Sequence, residues 1–348
     1  MTCVWMEGFE LHQSEAQLAR KYATADFNSS SITTTGRVFG TAHNIRASIL
    51  VTPSLGLANT YVIGFGLRVT GVNGSLDNFE QGLYLEKGND EQVHLQIIAN
   101  DADGFTLELR RGSTTLATSA KIAYGNWNYF ELKVTVDPSS GAYELRQNEV
   151  TILSATGVNT ADEGTAQADI LAIRYAISAT QVQFDDIYVL NTLGTENNDF
   201  LGDSVVEGIL PDGNGDTIEW TNDAGSGSNY QNVDDTATST DEVASGGTNS
   251  SDNNGDIDLY AFEDLTQAQG NIHAVQVGIQ LGMSAAGSRV VRGKFKDAVD
   301  GISDGDSFTV DSTTFDEFTQ VYDENPSSAA GWDVNDIDDG QFGVEVVS

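Results

Sequence analysis

The sequence predicts an all-β protein built as two antiparallel β-sandwich, jelly-roll domains, residues 1–193 and 194–348. Three observations carry that reading. Glycine is plentiful at 36 residues and proline scarce at four, and Thr, Ser, Asn and Asp crowd between short apolar runs, with turn signals about every 8–12 residues. Those runs alternate apolar with polar, the strand period, while 3.6-period stripes are nearly absent. The exception is residues 14–25, where Ala16, Leu18, Ala19 and Tyr22 would make one amphipathic helix of about three turns. Finally, 348 residues suffice for two cores, and residues 182–211 read as the last strand of one domain, a hinge and the first strand of another.

In chain order, residues 2–11 open with a strand anchored by Trp5 and Phe9. After the helix, Ile45, Ala47, Ile49 and Val51 share a face. Residues 61–70 (YVIGFGLRVT) are apolar on both faces, as in a central strand covered on both sides; Gly64 and Gly66 within them mark close backbone packing. Shorter strands follow at 82–87, 92–99, 105–110 and 114–120. His94 alternates with Val93 and Leu95, so it points outward as an ordinary strand residue. A long strand at 127–136 leads to the Asp137-Pro138 turn, then a hairpin over 142–154, then strands at 170–176 and 182–190. In the last, only Asp185-Asp186 breaks the alternation, which predicts a bulge or a turn there. Beyond the turn formers of 193–199, strands are expected at 204–210, 217–220, 230–233, 257–262, 272–281, 288–296, 307–310 and 315–322. The acidic stretch 234–256 reads as a loop, and 245–255 has the composition of disorder. Near the C-terminus Asp333 would cap one helical turn that Gly340 ends.

The formal charge of −36 is unevenly placed. Residues 1–193 carry 12 Lys/Arg and 21 Asp/Glu, residues 194–348 carry 4 and 31, and residues 175–288 contain no Lys or Arg. Such a surface repels nucleic acid and anionic lipid. It suits a salty medium, bound cations or a basic partner. The single cysteine, Cys3, excludes an intrachain disulfide, and His12, His43, His94 and His273 lack ligand spacing. No apolar run approaches the roughly 18 residues of a membrane helix, and the first residues lack a basic, apolar leader. Synthesis in the cytoplasm is expected.

The strand over 127–136, the turn and inner hairpin over 141–152, and the terminal "FDDIYV" over 184–189 resemble the concanavalin A-like, laminin-G-type jelly roll over residues 1–193. That resemblance implies that the terminal strand lies beside the first, near Met6 and Phe9. More narrowly, "MEGFE", "FDDIYVLNTLGTENNDFLGDSVV", "YQNVDD", "DLYAFEDL", "IHAVQV" and "NPSSAAGWDVNDIDDGQFGVEV" resemble virion structural proteins of tailed bacteriophages, most firmly over 182–265 and 325–348. It implies a non-enzymatic tail, fibre or capsid-decorating part. Such a part would be held by other virion proteins, as a homo-oligomer or in repeated copies, and released by lysis. No catalytic residue is carried over. The alternative is a carbohydrate-binding module recognising host-surface glycans.

Sandwich glycanases need two carboxylates about 5–5.5 Å apart. The nearest approach here is Glu80 with Glu86, on the order of 20 Å apart along an extended strand. Glu131 is expected to form an exposed ion pair with Lys133. Asp212, Asn214 and Asp216 have the D-x-N-x-D spacing of a calcium loop and are the candidate ligands for a divalent cation, with Asp223 at the twelfth position instead of glutamate. The competing reading is a polar turn. Asp185-Asp186 and Asp234-Asp235 read as turn caps, and Trp5, Trp127, Trp220 and Trp332 as core anchors unless exposed to stack on sugar.

Overall fold

The computed structural model describes the chain apart from residues 1, 13–14, 28–30, 34, 41, 46–47, 71–81, 99–101, 163–165, 175–181, 226, 235–246, 268–269 and 300. Ala47, Glu80, Asp235 and the start of the 245–255 stretch thus lie outside the described residues. The chain divides into two compact units, Met1–Val206 and Glu207–Ser348.

Among the described residues the first unit holds two eight-stranded antiparallel sheets. The first sheet runs Val150–Val158, Gly141–Gln147, Trp127–Thr135, Thr60–Val69, Val182–Asn191, Ala42–Ile45 and Ser31–Thr33, with Thr2–Glu7 also beside Val182–Asn191. The second runs Thr114–Thr118, Gly104–Arg111, Asp90–Ile98, Gly82–Lys87, Ile170–Arg174, Ser48–Val51 and Thr24–Phe27. The terminal strand meets the first strand as the resemblance implied, Thr2 opposite Asn191. The bulge falls at the aspartates: the ladder to Thr60–Val69 jumps from Asp185 to Tyr188, and Asp186 takes φ 48°.

Alternation decides what enters the core. Tyr61, Ile63, Phe65, Leu67 and Val69 face inward with Phe130, Leu132, Val134, Phe184 and Val189, against Leu83, Leu85, Val93, Leu95, Leu107 and Leu109 of the facing sheet. Phe65 lies 5.7 Å from Phe130 and 5.8 Å from Phe184, ring centre to ring centre. Burying one such side chain contributes about 1.5–3 kcal/mol, before the entropy of ordering it.

The expected three-turn helix is shorter, Glu15–Lys21. Leu18 and Tyr22 reach the core, and Lys21 bonds the Met6 carbonyl at 2.7 Å and Glu7 at 3.0 Å. The chain then leaves helix because Thr24–Phe27 pairs with Ser48–Val51; a ladder outweighs the weak helix preference of a threonine-bearing segment.

In the second unit a five-stranded sheet runs Pro211–Ile218, Ile257–Phe262, Gln341–Val346, Arg289–Asp297 and Gly301–Val310. A two-stranded layer, Val275–Leu281 with Asp316–Tyr322, packs on it. Phe295, Tyr322, Trp332, Ile337 and Phe342 form one cluster; Leu281, Val291, Val310 and Val344 form another, with Trp220 against it. Asp333 caps the helix Val334–Asp338 by accepting from Asp336 N, and Gly340 N closes it on Ile337 O.

Two expectations change here. Residues 204–210 form no strand, because Val206 N is taken by the Asp186 carboxylate and Leu210 N by Glu263. Residues 230–233 belong to a 3-10 turn, Asn229–Asn232, closed by Ser228. The first strand of this unit is instead the run read as a polar turn, Pro211–Ile218. Proline fits there because it begins an edge strand, where a missing N–H costs little.

Candidate functional site

Each sheet of the first unit has an outer face, and each carries a polar cluster. On the first sheet, Thr60–Val69 places Gly64 and Gly66 outward. A Cβ on Gly64 would stand 2.0 Å from the Tyr188 ring, and one on Gly66 2.7 Å from Arg37 Cδ. The two glycines are therefore troughs across which Tyr188 and Arg37 lie. Arg37 N donates to Asp185 at 2.5 Å, Nε to Asp186 at 2.7 Å, Nη1 to Asp203 at 2.5 Å and Nη2 to the Ser204 carbonyl at 2.5 Å. Its guanidinium sits 4.7 Å above the Tyr129 ring.

These bonds tie down a strap, residues 199–206. Phe200 lies under Arg146, 3.8 Å from its guanidinium carbon; Leu201 N donates to Tyr188 Oη at 3.2 Å and Gly202 N to Glu131 Oε1 at 2.8 Å. Glu131 is thus not the exposed partner of Lys133. It is 1% exposed, accepts from Tyr188 Oη at 2.5 Å, and leaves Lys133 to Asp199 at 3.0 Å. Alternation placed Lys133 correctly on its face; the strap, distant in sequence, supplied different partners.

Closure under the strap sets the electrostatics. Burial, reinforced by the Asp186 charge, pushes the Asp185 carboxyl up to about 8. Burial and the Asp185 charge push Glu10 up to about 10. Asp186 is also raised, burial outweighing its bond to Arg37. The cluster can therefore hold protons at neutral pH, with Arg37 supplying the positive charge that the remaining carboxylates face.

On the second sheet, His94 points outward as its alternation predicted, but it is buried and engaged. Its ring stacks on Tyr84 at 4.6 Å and its Nδ1 lies 2.5 Å from Glu91. Burial acts to raise Glu91, but the His94 bond and the nearby charges of His94 and Arg174 hold it below its ordinary range. Arg174 lies 4.8 Å over Tyr84 and pairs with Glu86. Beside them stands Gln92, wholly buried, its Oε1 without a hydrogen-bond partner. Arg110 bonds Glu108 at 3.0 Å one strand further on.

Asp212, Asn214 and Asp216 follow one strand rather than curling round a point. Asn214 Oδ1 accepts from Tyr230 N at 2.9 Å and Asp216 pairs with Lys296. Among the described residues no group of three or more His, Cys, Asp or Glu is arranged to hold a metal ion, and no helix is long and apolar enough to cross a membrane. Trp5 and Trp332 are core anchors, and Trp220 packs on the second unit's core.

No protein-family model matches the sequence, and neither does any curated protein. Solved structures similar to it include a carbohydrate esterase of the Shiga toxin-encoding bacteriophage phi24B, at 14% identity over 55% of this chain and 99% of that one, TM-score 0.39. Alginate lyase Aly36B matches at 10% identity over 55% and 98%, TM-score 0.33. Domain 4 of AbnA, a GH43 extracellular arabinanase from Geobacillus stearothermophilus, matches at 13% over 55% and 92%, TM-score 0.35. The glycine troughs had a signal in Gly64-Phe65-Gly66, whereas the strap and the Tyr84–His94–Arg174 stack, which joins three strands, have none in any single run.

Proposed function

We propose that the protein is a non-enzymatic building and attachment part of a tailed-bacteriophage particle, held there by protein–protein contacts. One observation supports this most: the residues that carry the resemblance serve as internal framework. Asp185 and Asp186 anchor Arg37 and the strap. Asp258, wholly buried, accepts from Tyr260 Oη at 2.6 Å, Asn229 Nδ2 at 2.9 Å and Glu219 N at 3.1 Å. Asn325, also wholly buried, donates to Asp297 at 3.0 Å and accepts from Ser327 N at 2.8 Å. Side chains held in this way build a rigid body to be placed, and the acidic surface offers basic neighbours a docking face. Mass spectrometry of purified particles should find the chain in stoichiometric amount; its absence there refutes the reading.

A second reading, glycan binding, is favoured by the Tyr84–His94–Arg174 stack, with Gln92 and Arg110 beside it on one sheet face. The guanidiniums of Arg174 and Arg110, partly exposed on this face, suit the carboxylates and hydroxyls of an acidic sugar. On a glycan array, Arg174→Ala and Arg110→Ala should each abolish binding, while Lys133→Ala on the other sheet leaves it unchanged. Silence of the unaltered protein across acidic glycans removes this reading.

A further inference from the structure

Among the described residues the smaller layer of the second unit is a ribbon of two strands, paired without a register shift from Val275 opposite Tyr322 to Leu281 opposite Asp316. An open strand edge invites pairing with another chain, and proteins guard such edges with charge, proline or bulges. The five-stranded sheet is guarded on both sides. Pro211–Ile218 carries Pro211, Asp212 and Asp216, Gly301–Val310 carries Asp304 and Asp306, and both ladders are bulged. On the ribbon, Asp316–Tyr322 begins with Asp316 and Glu317.

Val275–Leu281 has no charge, no proline and no bulge. It lies within residues 265–288, a run without Asp, Glu, Lys or Arg, in a unit (residues 207–348) that holds 28 acidic and 4 basic residues. Its inner row, Val275, Val277 and Ile279, packs on the core and remains only partly buried.

The strand also reads nearly the same in both directions. In Val275-Gln276-Val277-Gly278-Ile279-Gln280-Leu281 the residues equidistant from Gly278 match in kind: Val277 with Ile279, Gln276 with Gln280, Val275 with Leu281. Antiparallel pairing of two identical strands sets these residues opposite one another. We infer that Val275–Leu281 pairs antiparallel with the same strand of a second copy of this chain, about a two-fold axis through Gly278. The inference does not depend on the virion reading.

The chemistry across the axis is complementary. Across the axis like faces like, each Gln276 opposite a Gln280. The two inner apolar rows join into one layer, and a marginal two-stranded ribbon becomes half of a four-stranded sheet. Two acidic bodies repel, so contact forms where charge is lacking. The guarding Glu317 residues stand one strand further out. Their backbones are three strand spacings, about 14 Å, apart across the axis, but each carboxylate reaches back over Gly278, so the pairing should tighten as salt screens the two charges.

Sedimentation velocity of the full chain at about 0.15 M salt should show a dimer. Cys3 is buried, so an introduced thiol reports position. Gly278→Cys puts two thiols face to face on the axis, and its Cβ meets only the Glu317 carboxylate end at 3.2 Å. It should give a disulfide-linked dimer on mild oxidation. Gln276→Cys and Gln280→Cys each lie roughly 14 Å from their own counterpart, beyond disulfide reach. Alone they should stay unlinked, and mixed together they should link. A monomer at every concentration overturns the inference. So does a dimer in which neither Gly278→Cys nor the mixture links, or in which Gln276→Cys alone links as readily as Gly278→Cys. The sedimentation and mixing arms do not depend on how Gly278 tolerates a side chain.

Discussion

Arg37 concentrates the first unit's buried electrostatics in one side chain. It touches Asp186, Asp203, the Ser204 carbonyl and the Tyr129 ring, and its backbone holds Asp185. Removing one member of a buried ion pair leaves the other charge uncompensated, which costs about 3–5 kcal/mol. Arg37→Ala should therefore destabilise the first unit by roughly that amount and free the strap, seen as new proteolytic cleavage within residues 199–206. Unchanged cleavage would show that the strap is held by other contacts. The same cluster gives a pH dependence. Asp185 and Glu10 ionise near their ordinary values, 3.8 and 4.5, in the unfolded chain but at about 8 and about 10 in the folded one. The folded state thus binds more protons between those limits, and the stability these groups contribute, complete below about pH 4, falls as pH rises through 8 and then 10. Asp185→Asn removes its share, so the melting temperature of that variant should fall less steeply than the unaltered protein's between about pH 5 and 8. Parallel curves would mean that Asp185 ionises normally.

At the scale of the element, Thr60–Val69 shows how a strand's outer face can carry as much structure as its inner one. Gly64 and Gly66 let Tyr188 and Arg37 lie flat across the sheet. A methyl on Gly64 would displace the Tyr188 ring, and with it the bonds to Glu131 and Leu201 N. Overpacking of this kind costs about 1–3 kcal/mol. Gly64→Ala should lose that much in urea denaturation, whereas Gly88→Ser, at an exposed hairpin turn with nothing within 4 Å, tests left-handed backbone alone. No loss in Gly64→Ala would show that the Tyr188 ring shifts aside without cost. Period-two alternation made these strands legible in the sequence, because each had one partner face to satisfy: Phe65, Phe130 and Phe184 point inward as their spacing requires. The Asp185-Asp186 bulge and the Asp333 cap were legible for the same local reason. The strap was not, since residues 204–206 have the composition of a strand and their partners, Arg37 and Asp186, come from elsewhere in the chain. Nor was the strand Pro211–Ile218, where alternating Asp, Gly and Asn have turn chemistry and the ladder to Ile257–Phe262 prevails. The Tyr84–His94–Arg174 stack was half legible: alternation put His94 outward, and only folding brought the ring and the guanidinium to it.

For the chain as a whole, charge is the property that separates the two units. All four basic residues of the second, Arg289, Arg292, Lys294 and Lys296, lie on one strand. Lys294 alone bridges Asp304 and Glu345, and Lys296 and Arg292 pair with Asp216 and Asp304. Burial tends to lower Lys294, but its bonds to Asp304 and Glu345 raise it above its ordinary value, so it stays charged. These pairs satisfy a few acids and leave most of the 28 unneutralised. Two effects of salt then compete. Screening weakens the pairs, each exposed one worth about 0–1 kcal/mol, and it also relieves the mutual repulsion of the surplus carboxylates. The surplus is several times the number of pairs, so relief prevails. Raising NaCl from about 0.01 to 1 M shortens the screening length from about 30 to 3 Å, and the second unit's thermal transition should move upward through that range. The first unit, with 12 basic residues to 24 acidic ones over residues 1–206 and its central pair buried, should shift less. A calorimetric scan resolving two transitions tests this directly. If the more salt-sensitive transition is the one that Arg37→Ala lowers, the charge argument is wrong.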